Sequence, residues 1–284
     1  MVLLRFVVSL LILGSTLASE SRASAEVVLA HAKHSAWVIA PTSTNVAGVM
    51  FAPEELQKYL RQMSGAKVPI VSKAARKTIV IGLRADLPAD VEQALPPRKA
   101  GYDGYAISIR EDGIVIAGDN GPGCIYGVYD LLEHLGCRWF YPTIDPKDPE
   151  VVPKLSTVLL TTNAWAIASP IRNRICNGDA WFFEMNYPAA LKQMDWAMKN
   201  RYNAMGWQAA VNTSKRSLLQ QYNDLNRAGI TSGIEKRGMF IHGPAHSFDH
   251  FLKSEIYFAK HPEWFGMRNG KRVPQAALGA QFCW

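Results

Sequence analysis

AGDNGPGCIYGVYDLLEHLGCRWFYP, Ala117 to Pro142, sets Gly118, Gly121, Gly123 and Gly127 between a β-branched run and a run of helical period. Such glycines either cradle a phosphate or make a tight hinge that lets a helix press on a sheet. Gly121, Gly123 and Gly127 come close to G-x-G-x-x-G but carry one residue too many before the last glycine, and a dinucleotide site also needs an acidic residue about 20 positions on, at the end of a second strand. Tyr141-Pro142-Thr143 stands there instead, and no Gly-Lys-Ser or Gly-Lys-Thr follows the glycines. The hinge is therefore the expected role. Ile125, Val128, Tyr129, Leu132 and Leu135 recur at three and four, and Gly136 closes the pattern, which predicts one helix.

Outward from that helix, AWVIA, KVPIV, KTIVIG, GYAISI and GIVIAG read as short strands. The last two are joined by Arg110-Glu111-Asp112-Gly113, a turn composition that predicts a hairpin. FAPEELQKYLRQMSG places Leu56, Tyr59, Leu60 and Met63 on one helical face. Pro53 is expected near its first position, Glu54 and Glu55 in the first turn, and Gly65 at the stop. The fold class expected for residues 26–160 is α+β, a sheet carrying two helices.

PTIDPKDPEVVPK, with Pro142, Pro146, Pro149 and Pro153, predicts a rigid boundary between domains. Beyond it, PIRNRI, YNAMGWQA and GMFIHGP read as strands, alternating with PAALKQMDWAMKNR and KRSLLQQYNDLNRAG as helices. Strand and helix in alternation predict a parallel sheet of βα units over residues 161–284. A whole (β/α)8 barrel takes about 250 residues, so the expectation is an incomplete, truncated barrel.

The chain opens MVLLRFVVSLLILGSTLASESRASAEVV: Arg5, an apolar run from Phe6 to Leu13, then small residues around Ala25. Residues 1–25 predict a secretory signal peptide cut after Ala25, or alternatively after Ala18, and a secreted or periplasmic protein with no lasting membrane insertion. The formal charge of +7 is carried by scattered Lys and Arg, which argues against a nucleic-acid partner. Cys124, Cys137, Cys176 and Cys283 contain no CxxC pair and no zinc spacing. Cys124 and Cys137 flank one helix, about 20 Å apart at ~1.5 Å per residue, too far to bridge, and the cysteines are read as buried small hydrophobes.

The phrases FAPEELQKYLRQMSG, IVIG, GYDGYAISI and IVIAGDNGPGCIYGVYDLLEHLGCRWFYP resemble the small domain that precedes the catalytic barrel of α-glucuronidases and β-hexosaminidases. The phrase that marks the second helix and its exit in that domain is similar to G-x-x-x-G-x-Y-x-x-L-x-x-L-G-x-R-W-x-x-P here, at Gly123, Gly127, Tyr129, Leu132, Leu135, Gly136, Arg138, Trp139 and Pro142. The resemblance covers roughly residues 27 to 160 and implies a scaffold helix; it also implies that the later βα units open a glycosidase-like barrel, as in uncharacterised bacterial proteins that join the two modules. HSFDHFLKSEIYFAKHPEWFGMRNGKRV is similar to the excursion those proteins carry after the third strand, and its Tyr257, Phe258, Trp264 and Phe265 are expected to pack that excursion.

Barrel chemistry sits at the C-terminal ends of strands. The resemblance implies a sugar contact for Arg172, whose fork of donors grips adjacent hydroxyls, with Arg174 as the fallback. It implies the same for His242 and His246. Their His-x-x-x-His spacing is no zinc pair, because Gly243 and Pro244 forbid a shared helical face and the glutamate of HExxH is absent. Trp207 is the candidate stacking platform. Neither a metal nor a cofactor is expected. Glycoside hydrolysis takes two carboxyl groups, yet the Asp-Glu dipeptide of the hexosaminidases is missing, and Asp179, Glu184, Asp249 and Glu263 read more simply as surface acids. The catalytic residues stay unknown. The functional expectation is an exported carbohydrate-processing protein of glycoside hydrolase type acting on an oligosaccharide or polysaccharide. Its alternative is a non-catalytic glycan-binding or scaffold protein, or an inactive fragment.

Overall fold

The structure is a computed structural model and describes residues 24–43, 45–73, 76–142, 150–177, 187–206, 218–242 and 252–274. Strand β1 (Glu26–His31) pairs antiparallel with β6 (Thr157–Thr161). Strands β2 (Val38–Pro41), β3 (Thr78–Leu83), β4 (Tyr102–Ile109), β5 (Gly113–Gly118) and β7 (Asn163–Ser169) form one sheet in the order β2-β3-β5-β4-β7. β2, β3 and β5 run parallel, while β4 is antiparallel to both β5 and β7. The Arg110–Gly113 hairpin is as expected, with the Arg110 N–H donating to the Gly113 carbonyl at 2.9 Å.

Alternation sorts the two faces of this sheet. Ile79, Ile81, Tyr105, Ile107, Ile109, Ile114 and Ile116 turn into the main core beneath helices α1 (Ala47–Ser64) and α3 (Gly121–His134). Val80, Val115, Ala106 and Ala117 turn the other way, onto Leu87, Val91 and Leu95 of the segment that carries the short helix α2 (Ala89–Gln93). In α1 the expected face of Leu56, Tyr59, Leu60 and Met63 is buried, and Gly65 ends the helix at φ 76°, its N–H donating to the Arg61 carbonyl.

The start of α1 corrects the expectation. The helix begins at Ala47, so Pro53 lies inside it and its first turn holds no acid. The extra turn is there because Gly48 meets Gly121 at the crossing with α3; a Cβ on Gly48 would overlap the Gly121 backbone. Close helix packing thus outweighs the backbone bond lost at Pro53. KVPIV, expected as a strand, contributes only a bridge from Ile70 to Ile39.

The strands that follow the proline-rich segment pair back onto the first part. β6 returns to β1 and β7 adds an outer strand beside β4, so the first sheet runs past residue 160. Only then do βα units follow: β8 (Ile175–Asn177), α4 (Tyr187–Lys199), β9 (Ala204–Gly206), α5 (Leu218–Arg227), α6 (Ile230–Lys236) and β10 (Phe240–His242). β8, β9 and β10 are parallel neighbours. Helix α6 lies in a stretch where no helix was expected, because Gly229 and Gly233 masked its period. Met194, Ala197, Met198, Met205, Ile230, Ile234 and Met239 join the same core as α3 and the first sheet. The described residues therefore hold a mixed α/β architecture of several sheets, with three parallel strands where the barrel was expected.

Candidate functional site

The hinge glycines come first, because they position α3 between the two halves. β5 ends at Gly118 and α3 begins at Gly121. A Cβ on Gly118 or Gly123 would run into the Cys124 or Gly104 backbone, and one on Gly127 would stand 2.6 Å from Ile116 Cγ2. The Gly123 N–H donates to Asn120 Oδ1 at 2.9 Å, so a side-chain cap fills this helix end. Several of the signature residues then have a structural role. The Tyr129 hydroxyl donates to Glu55 Oε2 at 2.9 Å; Gly136 turns the chain at φ 95°; Arg138 Nη1 donates to the Glu133 carbonyl at 2.7 Å. Trp139 packs edge-on against Tyr59 and Tyr129, with centroids 5.6 and 5.3 Å away, and its indole N–H donates to the Tyr59 hydroxyl.

Two polar networks fasten the βα units to this scaffold. Asp103, held at φ 51°, accepts from Arg174 Nη2 at 2.5 Å, Asn203 Nδ2 at 2.9 Å and Asn120 Nδ2 at 2.7 Å. Arg174 also donates to the carbonyls of Arg201 and Ile171. In the second network Lys199, 1% exposed, is paired with Glu150 and Asp195, and Arg237 reaches Asp195 at 2.8 Å. Burial alone would raise Asp195, but Lys199 and Arg237 outweigh it and hold the carboxyl below its ordinary 3.8. Burial alone would lower Lys199, yet Asp195 and Glu150 hold it above 10.5.

β8, β9 and β10 end on one level, since Asn177, Gly206 and His242 are register partners. Cys176 and Met205 are buried in the core shared with the helices, and Ile241 packs against it. By alternation His242 belongs to the opposite face, and it is exposed. Gly206, its neighbour, adds no side chain beside it. Of the expected sugar contacts, His242 is thus at a strand C-terminus, while Trp207 and His246 lie outside the described residues.

Arg172 is placed differently from the expectation. The strand starts at Ile175 rather than Pro170, so Arg172 precedes it by three residues, exposed, with its carbonyl accepting from Asn203 Nδ2 at 2.7 Å. It therefore stands at the end of the parallel strands opposite His242. The fallback, Arg174, is committed to Asp103. The error came from extending the strand back through Pro170 and Asn173, residues that instead form the turn out of β7.

Glu263 is fully solvated, and a backbone hydrogen bond with His261 nearby keeps its carboxyl below 4.5, the wrong direction for a proton donor. Asp179, Glu184 and Asp249 lie outside the described residues. The aromatics of the excursion pack on one another as expected: Phe258 on Phe265 edge to face at 5.2 Å, and Tyr257 near Trp264 at 6.1 Å. Cys124, Cys137 and Cys176 are free and buried, and Cys283 lies outside the described residues. Among the described residues no group of three or more His, Cys, Asp or Glu could hold a metal ion, and no helix is long and apolar enough to cross a membrane.

Comparison with known proteins follows the same division. The chain is similar in fold to a family GH115 4-O-methyl-α-glucuronidase with specificity for decorated arabinogalactans. There the TM-score is 0.57 and the identity 13%, over 89% of this chain and 38% of the other. It is similar to the Streptomyces plicatus N-acetyl-β-hexosaminidase, TM-score 0.53 at 14% identity, over 91% of this chain and 50% of the other. A GH20 β-N-acetylhexosaminidase from Streptomyces coelicolor A3(2) aligns with TM-score 0.51 at 14% identity, over 76% and 42%. At these identities the likeness is one of fold, and the chain spans half or less of each structure's length. No curated protein matches the chain. Residues 22–131, which hold α1, the first sheet up to β5 and most of α3, match the family model described as the glycosyl hydrolase family 67 N-terminus.

Proposed function

We propose that this protein is an exported glycoside hydrolase in which residues 24–169 form the scaffold and the parallel strands β8–β10 open the catalytic module. The observation that carries the reading is the common level at which β8, β9 and β10 end, with exposed His242 on that edge. The glycosyl hydrolase match over residues 22–131 supports it from the scaffold side. A sugar bound at the edge would take a hydrogen bond from the His242 imidazole, with Trp207, next in sequence after β9, as a stacking face and His246, four residues after His242 in sequence, as a second contact. Arg172, three residues before β8, is left out of this proposed site.

The substrate class is an O-glycoside of an oligosaccharide or polysaccharide, hydrolysed by a carboxyl pair. The test is a screen of the protein, expressed from its whole reading frame, on aryl β-N-acetylglucosaminides, aryl α-glucuronides and glucuronoxylan oligosaccharides. Release of aryl alcohol or uronic acid, reduced about 100-fold by His242→Ala, is the expected result; a loss of that size is common when one positioned polar group is removed. Inactivity on every glycan would sink hydrolysis, and glycan binding without cleavage would leave the non-catalytic alternative. Export has its own test, since N-terminal sequencing of the protein made in a Gram-negative host should begin at Glu26.

A further inference from the structure

A second cavity lies on the scaffold, away from the strand ends, with about 390 Å³ of space between Ser24, the start of β7, the end of β6 and the C-terminal end of α3; cleavage after Ala25 would remove Ser24 and leave the other lining residues in place. None of its lining residues belongs to β8, β9 or β10. We propose that it binds one neutral pyranosyl residue of a polysaccharide, as a site separate from the one that cleaves. The proposal rests on the carbohydrate reading given above.

The wall is an aromatic pair. The His134 and Trp165 rings lie 4.7 Å apart at a tilt of 36°. Both are held by Asp130, which is 6% exposed: the Trp165 indole N–H donates to Asp130 Oδ2 at 2.7 Å, and His134 Nδ1 sits 2.8 Å from the Asp130 carbonyl. Arg201 steadies that carboxylate from the far side at 3.5 Å. A rotamer-locked aromatic wall is what a weakly held sugar ring needs, because little side-chain freedom is lost on binding.

The rim is polar and uncharged. Asn163 Oδ1 is taken by the Ala164 N–H at 2.8 Å, which leaves its amide nitrogen as a donor, and Thr161 adds an exposed hydroxyl. Leu159, 42% exposed, supplies an apolar ledge. Among the described residues no Lys, Arg, Asp or Glu lines the cavity. Hydroxyl partners beside an aromatic wall suit a neutral pyranose, and no Lys or Arg among the described lining residues would grip a uronate. The volume falls in the range of small-molecule sites, about 300–1,000 Å³. A single sugar of about 12 heavy atoms reaches a Kd in the millimolar range at ordinary ligand efficiency.

The experiment is ¹⁹F NMR of protein carrying 5-fluorotryptophan at its eight tryptophans. Trp165→Phe assigns the Trp165 resonance, and His134→Ala assigns it independently through the ring-current change. The probes are methyl β-xylopyranoside, methyl β-galactopyranoside and methyl β-N-acetylglucosaminide, with sodium glucuronate as the charged control. At least one neutral glycoside should move the Trp165 resonance saturably in the millimolar range. Asn163→Ala and Thr161→Val, both solvent-facing changes, should weaken that binding about 5-fold or more, and glucuronate should bind at least 10-fold less well.

A resonance unmoved by all three glycosides up to about 100 mM, a shift identical in both variants, or tighter binding of glucuronate would overturn the proposal. Hydrolysis of aryl glycosides with no binding here defeats this site and leaves the enzyme reading. A variant-sensitive shift with no hydrolysis supports this site and defeats that reading instead.

Discussion

Gly48 and Gly113 are both small residues on regular elements, yet only one is irreplaceable. A Cβ on Gly48 would strike the Gly121 backbone, whereas at Gly113 the nearest atom is 3.9 Å away. Gly48→Ala should therefore destabilise by about 1–3 kcal/mol, the usual penalty of overpacking. Gly113→Ala should stay within about 0.5 kcal/mol. Urea midpoints of the two variants check this.

Lys199→Ala would strand two carboxylates and should destabilise by about 3–5 kcal/mol. The pH dependence has a definite sign on each side. Asp195 is held below 3.8, so its contribution is present above that value and is lost as pH falls through the depressed pKa. Lys199 is held above 10.5, so its contribution is present below that value and is lost as pH rises through the elevated pKa. In Lys199→Met the part of the alkaline loss that comes from this lysine should vanish and the acid loss that comes from Asp195 should shrink, as thermal melts from pH 3 to 11 would show. Burial pushes the Cys124 and Cys137 thiols up to about 12 and raises Cys176 as well. A thiol reagent at pH 8 should titrate at most one of the four cysteines until denaturant is added; three reactive thiols in the native protein would contradict their burial.

At the scale of elements, α3 is the piece whose limits were legible in the one-dimensional pattern. Its apolar period, the glycine before it and Gly136 after it each report a local backbone requirement. Asn120 was the missed signal: it caps Gly123 and also holds Asp103, so one side chain ties the helix end to the junction with the βα units. Asn120→Ala should destabilise by about 1–2 kcal/mol, while Asn120→Asp, which keeps the cap but sets a second carboxylate against Asp103, should recover only part of it. Equilibrium denaturation of the pair separates the two roles. Helix α1 was read four residues short, because Pro53 is a strong local start signal and the contact that carries the helix back to Ala47 is with a residue 73 positions away. The β8 error has the same origin. Pro170 to Arg174 reads as an extended run, and only the pairing of Ile175 with Ala204 shows where the strand starts.

For the whole molecule, the notable feature is a main core that spans the first sheet, its helices and the βα units. Tyr126 and Leu131 of α3 share it with Met194, Met198 and Ile234 of the βα units. The chain should accordingly melt in one calorimetric transition; two resolved transitions would mean that the halves fold independently. The expected division at residue 160 followed the prolines, which mark rigid backbone but not where the strands on either side find partners.

The mixture of strands and helices in the first part, the hinge role of the glycines and the burial of the described cysteines were legible in the sequence alone, because each depends on neighbours within a turn or two of chain. Tertiary structure decided the rest: that β7 belongs to the first sheet, that Arg174 serves Asp103 rather than a ligand, that Arg172 and His242 lie at opposite strand ends, and that Trp165 and His134 meet over a cavity. Those facts turn on strand register and on partners dozens of residues apart, and no local period encodes either.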